Sequence, residues 1–188
     1  KEITPNGIRT EDQDFEFDMI VFATGFDAMT GTYFKMDIRG KNDLSLKDKW
    51  SEGPKTYLGL QAAGFPNLFM ITGPGSPSVL SNMPVSIEQH IDWIADFLQY
   101  TRERDIKTVE ADVDAETAWV AHVNEVAEPT MYMLANSWYL GANIPGKPRV
   151  FMPYVGGLGN YRKKCNEVAN NGYEGFILES GSRGINGL

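Results

Sequence analysis

Few residues in this sequence carry chemistry of their own. There are two histidines, His90 and His122, and a single cysteine, Cys165. The histidines lie far apart, with no cysteine or clustered carboxylate at ligand spacing, so no metal site is expected. A lone histidine on a helix reads as a structural or solvated residue more readily than a catalytic one. Cys165 has no histidine near it in sequence to activate it, and reads as a small buried apolar residue. No Ser/His/Asp arrangement is present. What remains is a set of glycine-bearing turns: Ala23-Thr24-Gly25-Phe26-Asp27, Gly73-Pro74-Gly75-Ser76-Pro77 and Gly156-Gly157-Leu158-Gly159. Glycine at such points lets backbone approach a ligand closely, and in open α/β sheets ligands sit at the carboxyl ends of strands. The alternative is an ordinary glycine-rich connection. At Gly156–Gly159 a dinucleotide turn fails on spacing, because Arg162 stands where the third glycine of G-x-G-x-x-G belongs. A fourth stretch, Ser137 to Lys147, is rich in Gly and Pro. Its Trp138 and Lys147 either pack and solvate or reach a planar or anionic ligand.

These turns need elements to hold them. Asn6-Gly7 between Glu2-Ile-Thr and Ile8-Arg-Thr predicts a hairpin. Phe15 to Ala23 begins with alternation and ends as a continuous apolar run, predicting a strand that passes from edge to centre. Leu68 to Ile71, stopped by Gly73 and Pro74, predicts a short buried strand; Val150 to Val155 predicts another, with Pro153 marking an edge or bulge. Ile38–Gly40 and Tyr57–Leu60 are candidate short strands, and Trp50 reads as a core residue. A helix is expected over about 84–104, with Ser86-Ile-Glu-Gln89 as a capping box. Ile87, Ile91, Ile94 and Leu98 lie on one face of it, and Trp93, Phe97 and Tyr100 on the next. A second helix spans about 114–127, capped by Asp112 or Asp114, with Trp119, Val123 and Val126 as its stripe. A third runs through Tyr161 to Ala169. Glu179 to Leu188 reads as an unconstrained tail.

Composition narrows the classes. The chain has 188 residues, 42% of them hydrophobic, enough for a real core. The net charge of −8 offers no basic stripe for nucleic acid. No stretch approaches the roughly 20 apolar residues of a membrane span. One cysteine forms no internal disulfide and suits a reducing, cytoplasmic setting. The chain opens on Lys1-Glu-Ile, already strand-like and without an initiator Met, and is expected to be the C-terminal part of a longer protein. The fold class expected is α/β with a helical portion.

Combined motifs add a resemblance. Asp18-Met-Ile-Val-Phe-Ala-Thr-Gly-Phe-Asp27 is similar to a late segment of flavoproteins with two dinucleotide-binding, Rossmann-like domains. Phe65-Pro-Asn-Leu-Phe-Met-Ile-Thr-Gly-Pro74, Ser86-Ile-Glu-Gln89, Ser137-Trp138, Gly141-Ala-Asn-Ile-Pro-Gly-Lys147, Tyr154-Val-Gly-Gly-Leu158 and Gly172-Tyr-Glu-Gly-Phe176 together resemble the Baeyer–Villiger monooxygenases, over residues 1 to about 178. The long loop Gly75-Ser-Pro-Ser-Val-Leu-Ser-Asn82 resembles the phenylacetone- and steroid-oxidising branch.

The resemblance implies an enzyme using FAD, NADPH and O2 to convert a ketone to an ester or lactone through a C4a-peroxyflavin. It implies FAD contact through the backbone of Met83, and Trp138 on a loop closing over NADP. Thr24 and Gly25 would stand at the junction of the nucleotide domains, and Pro77, Ser78, Val79, Leu80 and Met152 along the substrate pocket. Residues 1–27 would end the NADP domain and cross over to the FAD domain, with 28–188 the C-terminal part of the latter. Both G-x-G-x-x-G turns and the active-site arginine belong upstream, so no catalytic residue is assigned here and the segment alone is expected to be inactive. The partners implied are the upstream part of the same polypeptide and a small ketone, with no nucleic acid or membrane and a monomeric state. The rivals are a flavin monooxygenase acting on nitrogen or sulfur, and a non-catalytic α/β binding module.

Overall fold

The computed structural model describes residues 1–23 and 25–181. Thr24 and most of the expected tail, residues 182–188, lie outside the described residues.

The expected hairpin forms. Strands β1 (Glu2–Thr4) and β2 (Gly7–Arg9) pair antiparallel with Thr4 opposite Gly7, and β3 (Asp14–Glu16) adds to β2. Gly7 is required there: a Cβ on it would fall 1.8 Å from the Phe15 carbonyl oxygen. The strand expected to continue to Ala23 does not form, because residues 19–23 find no ladder partner among the described residues. Met19, Val21 and Phe22 consequently stand exposed.

Two short helices follow, α1 (Gly31–Lys35) and α2 (Leu46–Lys49), the second capped by the Ser45 hydroxyl, which accepts from the Asp48 N–H at 3.0 Å. Between them and on their flanks, Trp50 is buried with Leu46, Ala62, Phe65 and Met70, as its type predicted. Ile38–Gly40 and Tyr57–Leu60 make only isolated bridges, Arg39 to Ser45 and Tyr57 to Gln61.

The main core lies between three long helices and a two-stranded sheet. Helix α3 (Met83–Glu103) begins at the expected place, but Asn82 holds the N-cap position and the capping box is not made. The helix starts three residues before Ser86, whose hydroxyl is buried against that of Ser81 at 2.5 Å. Of the two candidate faces, burial follows the aromatic one, with Ile94 of the other joining it: Trp93, Ile94 and Phe97 are in the core, while Ile91 and Leu98 are half exposed. The larger rings remove more apolar area from water and so win the inner position. Helix α4 (Val113–Ala127) is capped by Asp112, which accepts from the N–H groups of Asp114 and Ala115. Helix α5 (Leu158–Asn170) completes the set. Strands β4 (Ile106–Ala111) and β5 (Phe176–Ser180) pair antiparallel, with Glu110 opposite Ile177. Glu179 and Ser180 therefore belong to a strand rather than to a tail. Against this sheet Phe97 stacks on Tyr173 with ring centres 3.8 Å apart, and the Trp93 indole donates to the Cys165 carbonyl at 2.9 Å.

The architecture is thus mixed α/β, with its ladders antiparallel.

Candidate functional site

Leu68 to Ile71 is not a strand. Its backbone makes a single cross-chain bond, Met70 N–H to Leu60 O at 2.8 Å. What it does is deliver the chain into a tightly held loop. His90 on α3 is fully buried, and its Nδ1 accepts from the Thr72 N–H at 2.9 Å, just before Gly73. That bond leaves the ring proton on Nε2, which has no hydrogen-bond partner among the described residues, and the imidazole lies beside the Tyr161 ring. Burial holds the ring neutral, pushing its pKa down from 6.5 to about 4. His90 is therefore an anchor, as a lone helical histidine was expected to be.

The loop is clamped from three further sides. The Thr56 hydroxyl donates to Pro74 O at 2.5 Å, the Trp119 indole donates to Gly75 O at 3.0 Å, and the Ser76 hydroxyl closes back on Gly73 O at 2.7 Å. Along the remaining side runs Phe151–Tyr154. It is not a ladder strand, and Pro153 lacks an N–H to make it one, yet it bonds on both sides: Gly75 N–H to Met152 O at 2.6 Å, Tyr154 N–H to Ser76 O at 2.7 Å, and Met152 N–H to Tyr139 O at 2.9 Å. This extended segment stitches the Gly73–Leu80 loop to the turn at Trp138–Leu140.

The expected pocket residues fall around that seam. Pro77 and Ser78 are buried, Ser78 in a left-handed conformation (φ 43°), and Ser78–Leu80 forms one 3-10 turn. Leu80 packs with Leu140 and Phe151 on Ala127, and Met152 is buried. Met83 opens α3 three residues after Leu80. No side chain caps that helix end, and Pro84 brings no N–H, so the first turn presents the Met83 N–H without an acceptor among the described residues. A carbonyl or anionic group of a cofactor fits there. Trp138 is half-buried. The indoles of Trp50, Trp93 and Trp119 each donate to a backbone carbonyl, whereas that of Trp138 makes no such bond among the described residues. Its free donor fits a polar ligand on the loop.

Gly25 is exposed with φ 75°, and a Cβ on it would meet nothing within 4 Å. Its need is conformational, not a close approach. Beyond it, the Ser78 hydroxyl reaches the Met29 sulfur at 3.6 Å, and Lys147 forms an ion pair with Asp27. So Lys147 is engaged by this chain's own carboxylate, which sequence spacing across so long a separation gave no signal of. The structure thus joins the Ser78–Leu80 turn to Met29 and to Leu140 and Phe151, the neighbours of Trp138 and Met152, while Met83 follows Leu80 at the start of α3. Gly156–Gly159, the failed dinucleotide turn, simply opens α5. Among the described residues no group of His, Cys, Asp or Glu is placed to hold a metal, and no helix is long and apolar enough to cross a membrane.

No protein-family model matches the chain. It is 46% identical over 179 residues, 95% of its length, to a cyclohexanone 1,2-monooxygenase of Acinetobacter sp., and 46% identical over the same share to a Baeyer–Villiger monooxygenase of Pseudooceanicola batsensis. The chain is a homologue of the Baeyer–Villiger monooxygenases. It spans about a third of the length of these curated relatives, 33% and 32%. A phenazine N-monooxygenase of Lysobacter antibioticus is 42% identical over 181 residues, covering 96% of the chain and 33% of that relative. Among solved structures, a steroid monooxygenase bound to NADP superposes with a TM-score of 0.85 at 48% identity, over 95% of this chain and 33% of that one. OTEMO in complex with FAD and NADP superposes at 0.85 and 40% identity, over 94% and 32%. The family resemblance read from the motifs therefore holds.

Proposed function

We propose that this chain is the C-terminal part of an FAD- and NADPH-dependent Baeyer–Villiger monooxygenase, inserting one oxygen atom from O2 beside a ketone carbonyl to give an ester or lactone. The observation that carries the reading is the junction of the Gly73–Leu80 loop, the start of α3 and the Trp138 turn along Phe151–Tyr154, in a chain homologous to that family over 95% of its length. When bound, FAD reduced by NADPH supplies the oxygen-activating chemistry. The residues here position and exclude. The Met83 N–H would hold the flavin, and Trp138 would offer its indole N–H to NADP from the covering loop. Pro77, Val79, Leu80 and Met152, with Ser78 among them, would form a mostly apolar wall for the ketone, which keeps water from the reacting centre. Thr24 and Gly25 stand where residues 1–27, the end of the NADP domain, pass into residues 28–188 of the FAD domain.

The upstream part of the polypeptide supplies the remaining cofactor contacts and covers the exposed Met19, Val21, Phe22 and Phe26. The protein acts as a monomer in the cytoplasm, a setting that suits its one buried, free cysteine. The test is product analysis of the full-length protein with NADPH, O2 and a panel of phenylacetone, cyclohexanone and progesterone. An ester or lactone supports the reading, and the preferred ketone sets the branch. A second reading, oxygen transfer to aromatic nitrogen, is favoured by the phenazine N-monooxygenase among the relatives; adding a phenazine to the panel separates the two.

A further inference from the structure

The loop tip, residues 141–147, is a succession of tight turns: Gly141 N–H to Trp138 O, Ile144 N–H to Gly141 O and Lys147 N–H to Ile144 O. Arg149 pins the base, donating to the Asn136 side-chain oxygen and to Ala135 O. Among the described residues, only two hydrogen bonds tie the tip to anything outside its own neighbourhood. The Lys147 ammonium pairs with the Asp27 carboxylate, and the Asn143 amide donates to Phe26 O at 3.4 Å. Both ends of the ion pair are seated against glycine. The Lys147 stem lies over Gly141, where a Cβ would come within 3.1 Å of it, and Asp27 lies over Gly31, where a Cβ would fall 2.6 Å from the Asp27 Cβ. The Lys147 side chain is only 9% exposed. A charge so enclosed is costly when its partner is removed, so the tip rests on Asp27 or leaves this position.

We propose that Asp27 and Lys147 form a latch, a pair of positioning residues that holds the Trp138-bearing loop against the 25–30 turn. Resting on the functional reading above, the latch also sets how firmly NADP is retained beneath that loop. One charge on each side is all it needs, so exchanging the charges keeps the connection while either single change breaks it.

The test compares full-length protein carrying Asp27→Asn, Lys147→Met, Asp27→Lys, Lys147→Asp and the double exchange. It reads thermolysin cleavage before Ile144 in the cofactor-free protein, NADP⁺ affinity by calorimetry, and the melting temperature. The expected result is cleavage about tenfold faster and NADP⁺ binding about tenfold weaker in the single variants, the equivalent of about 1.4 kcal/mol. The double exchange should recover both to within about threefold, and global melting should change little. Cleavage in Asp27→Asn equal to that of the unaltered protein, or a double exchange as impaired as its singles combined, overturns the latch. If the unaltered protein binds no NADP⁺, the functional reading fails instead, and the cleavage arm still decides the latch.

Discussion

Two buried ionisable side chains make predictions at the scale of the residue. His90 is neutral in the fold and protonates near pH 4, against 6.5 when unfolded. Its folded pKa is depressed and its charged form is the excluded one. The contribution is therefore complete above pH 6.5, falls as pH drops from 6.5 towards 4, and is constant below that. At 1.36 kcal/mol per unit the whole loss is about 3 kcal/mol. Urea midpoints measured across this range should show the decline, and His90→Phe should flatten it while lowering stability throughout. An unaltered slope in His90→Phe would assign the acid sensitivity to other groups. Glu116, 2% exposed, accepts from the Ala63 N–H at 2.8 Å and from Lys49 at 2.7 Å. Glu116→Ala strands Lys49, itself largely buried, and should cost about 3–5 kcal/mol. Pairing it with Lys49→Met should recover part of that in chemical denaturation, since no uncompensated charge then remains.

At the scale of the element, what was legible was what neighbours in sequence decide. Helices α3 and α4 announced themselves by apolar spacing, α5 by the glycine-rich turn that opens it, and the first hairpin by Asn6-Gly7. Asp112 fulfilled its capping role because a cap is local. The strands failed for the opposite reason: a ladder needs a partner, and Met19–Ala23, Leu68–Ile71 and Val150–Val155 find none of ladder length among the described residues. Conversely β4 and β5 pair residues 65 to 74 positions apart, Ala111 with Phe176 and Ile106 with Ser180, and their mixed polar and apolar composition gives no strand signal. The site followed the same rule. Its loops were visible as Gly- and Pro-rich motifs, but the His90–Thr72 anchor and the Trp119–Gly75 clamp join residues too distant for spacing to reveal. One position tests how tightly the clamps set the loop. Gly59 has φ 70°, and a Cβ there would fall 2.6 Å from the Ser76 nitrogen and Cβ. Gly59→Ala should lose about 1–3 kcal/mol from strain, before any displacement of Ser76 is counted. A melting temperature within a degree of the parent would show that the loop has room to move.

At the scale of the whole molecule, the chain matches its relatives over nearly all its own length but only a third of theirs. Met19, Val21, Phe22 and Phe26, all more than two-thirds exposed, form an apolar edge of the kind that marks an interaction surface. Residues 1–188 alone should bind a hydrophobic dye at this edge and should not consume NADPH in the presence of a ketone. Ketone-dependent consumption by the isolated segment would contradict its reading as one part of a larger site. The central claim, that the complete protein transfers oxygen to a ketone, is tested most directly with isotopically labelled dioxygen. Full-length protein is supplied with NADPH, labelled O2 and phenylacetone, and the products are weighed by mass spectrometry. The account predicts an ester carrying one labelled oxygen atom. Consumption of NADPH with hydrogen peroxide as the only oxidised product, across the ketone panel, would contradict it.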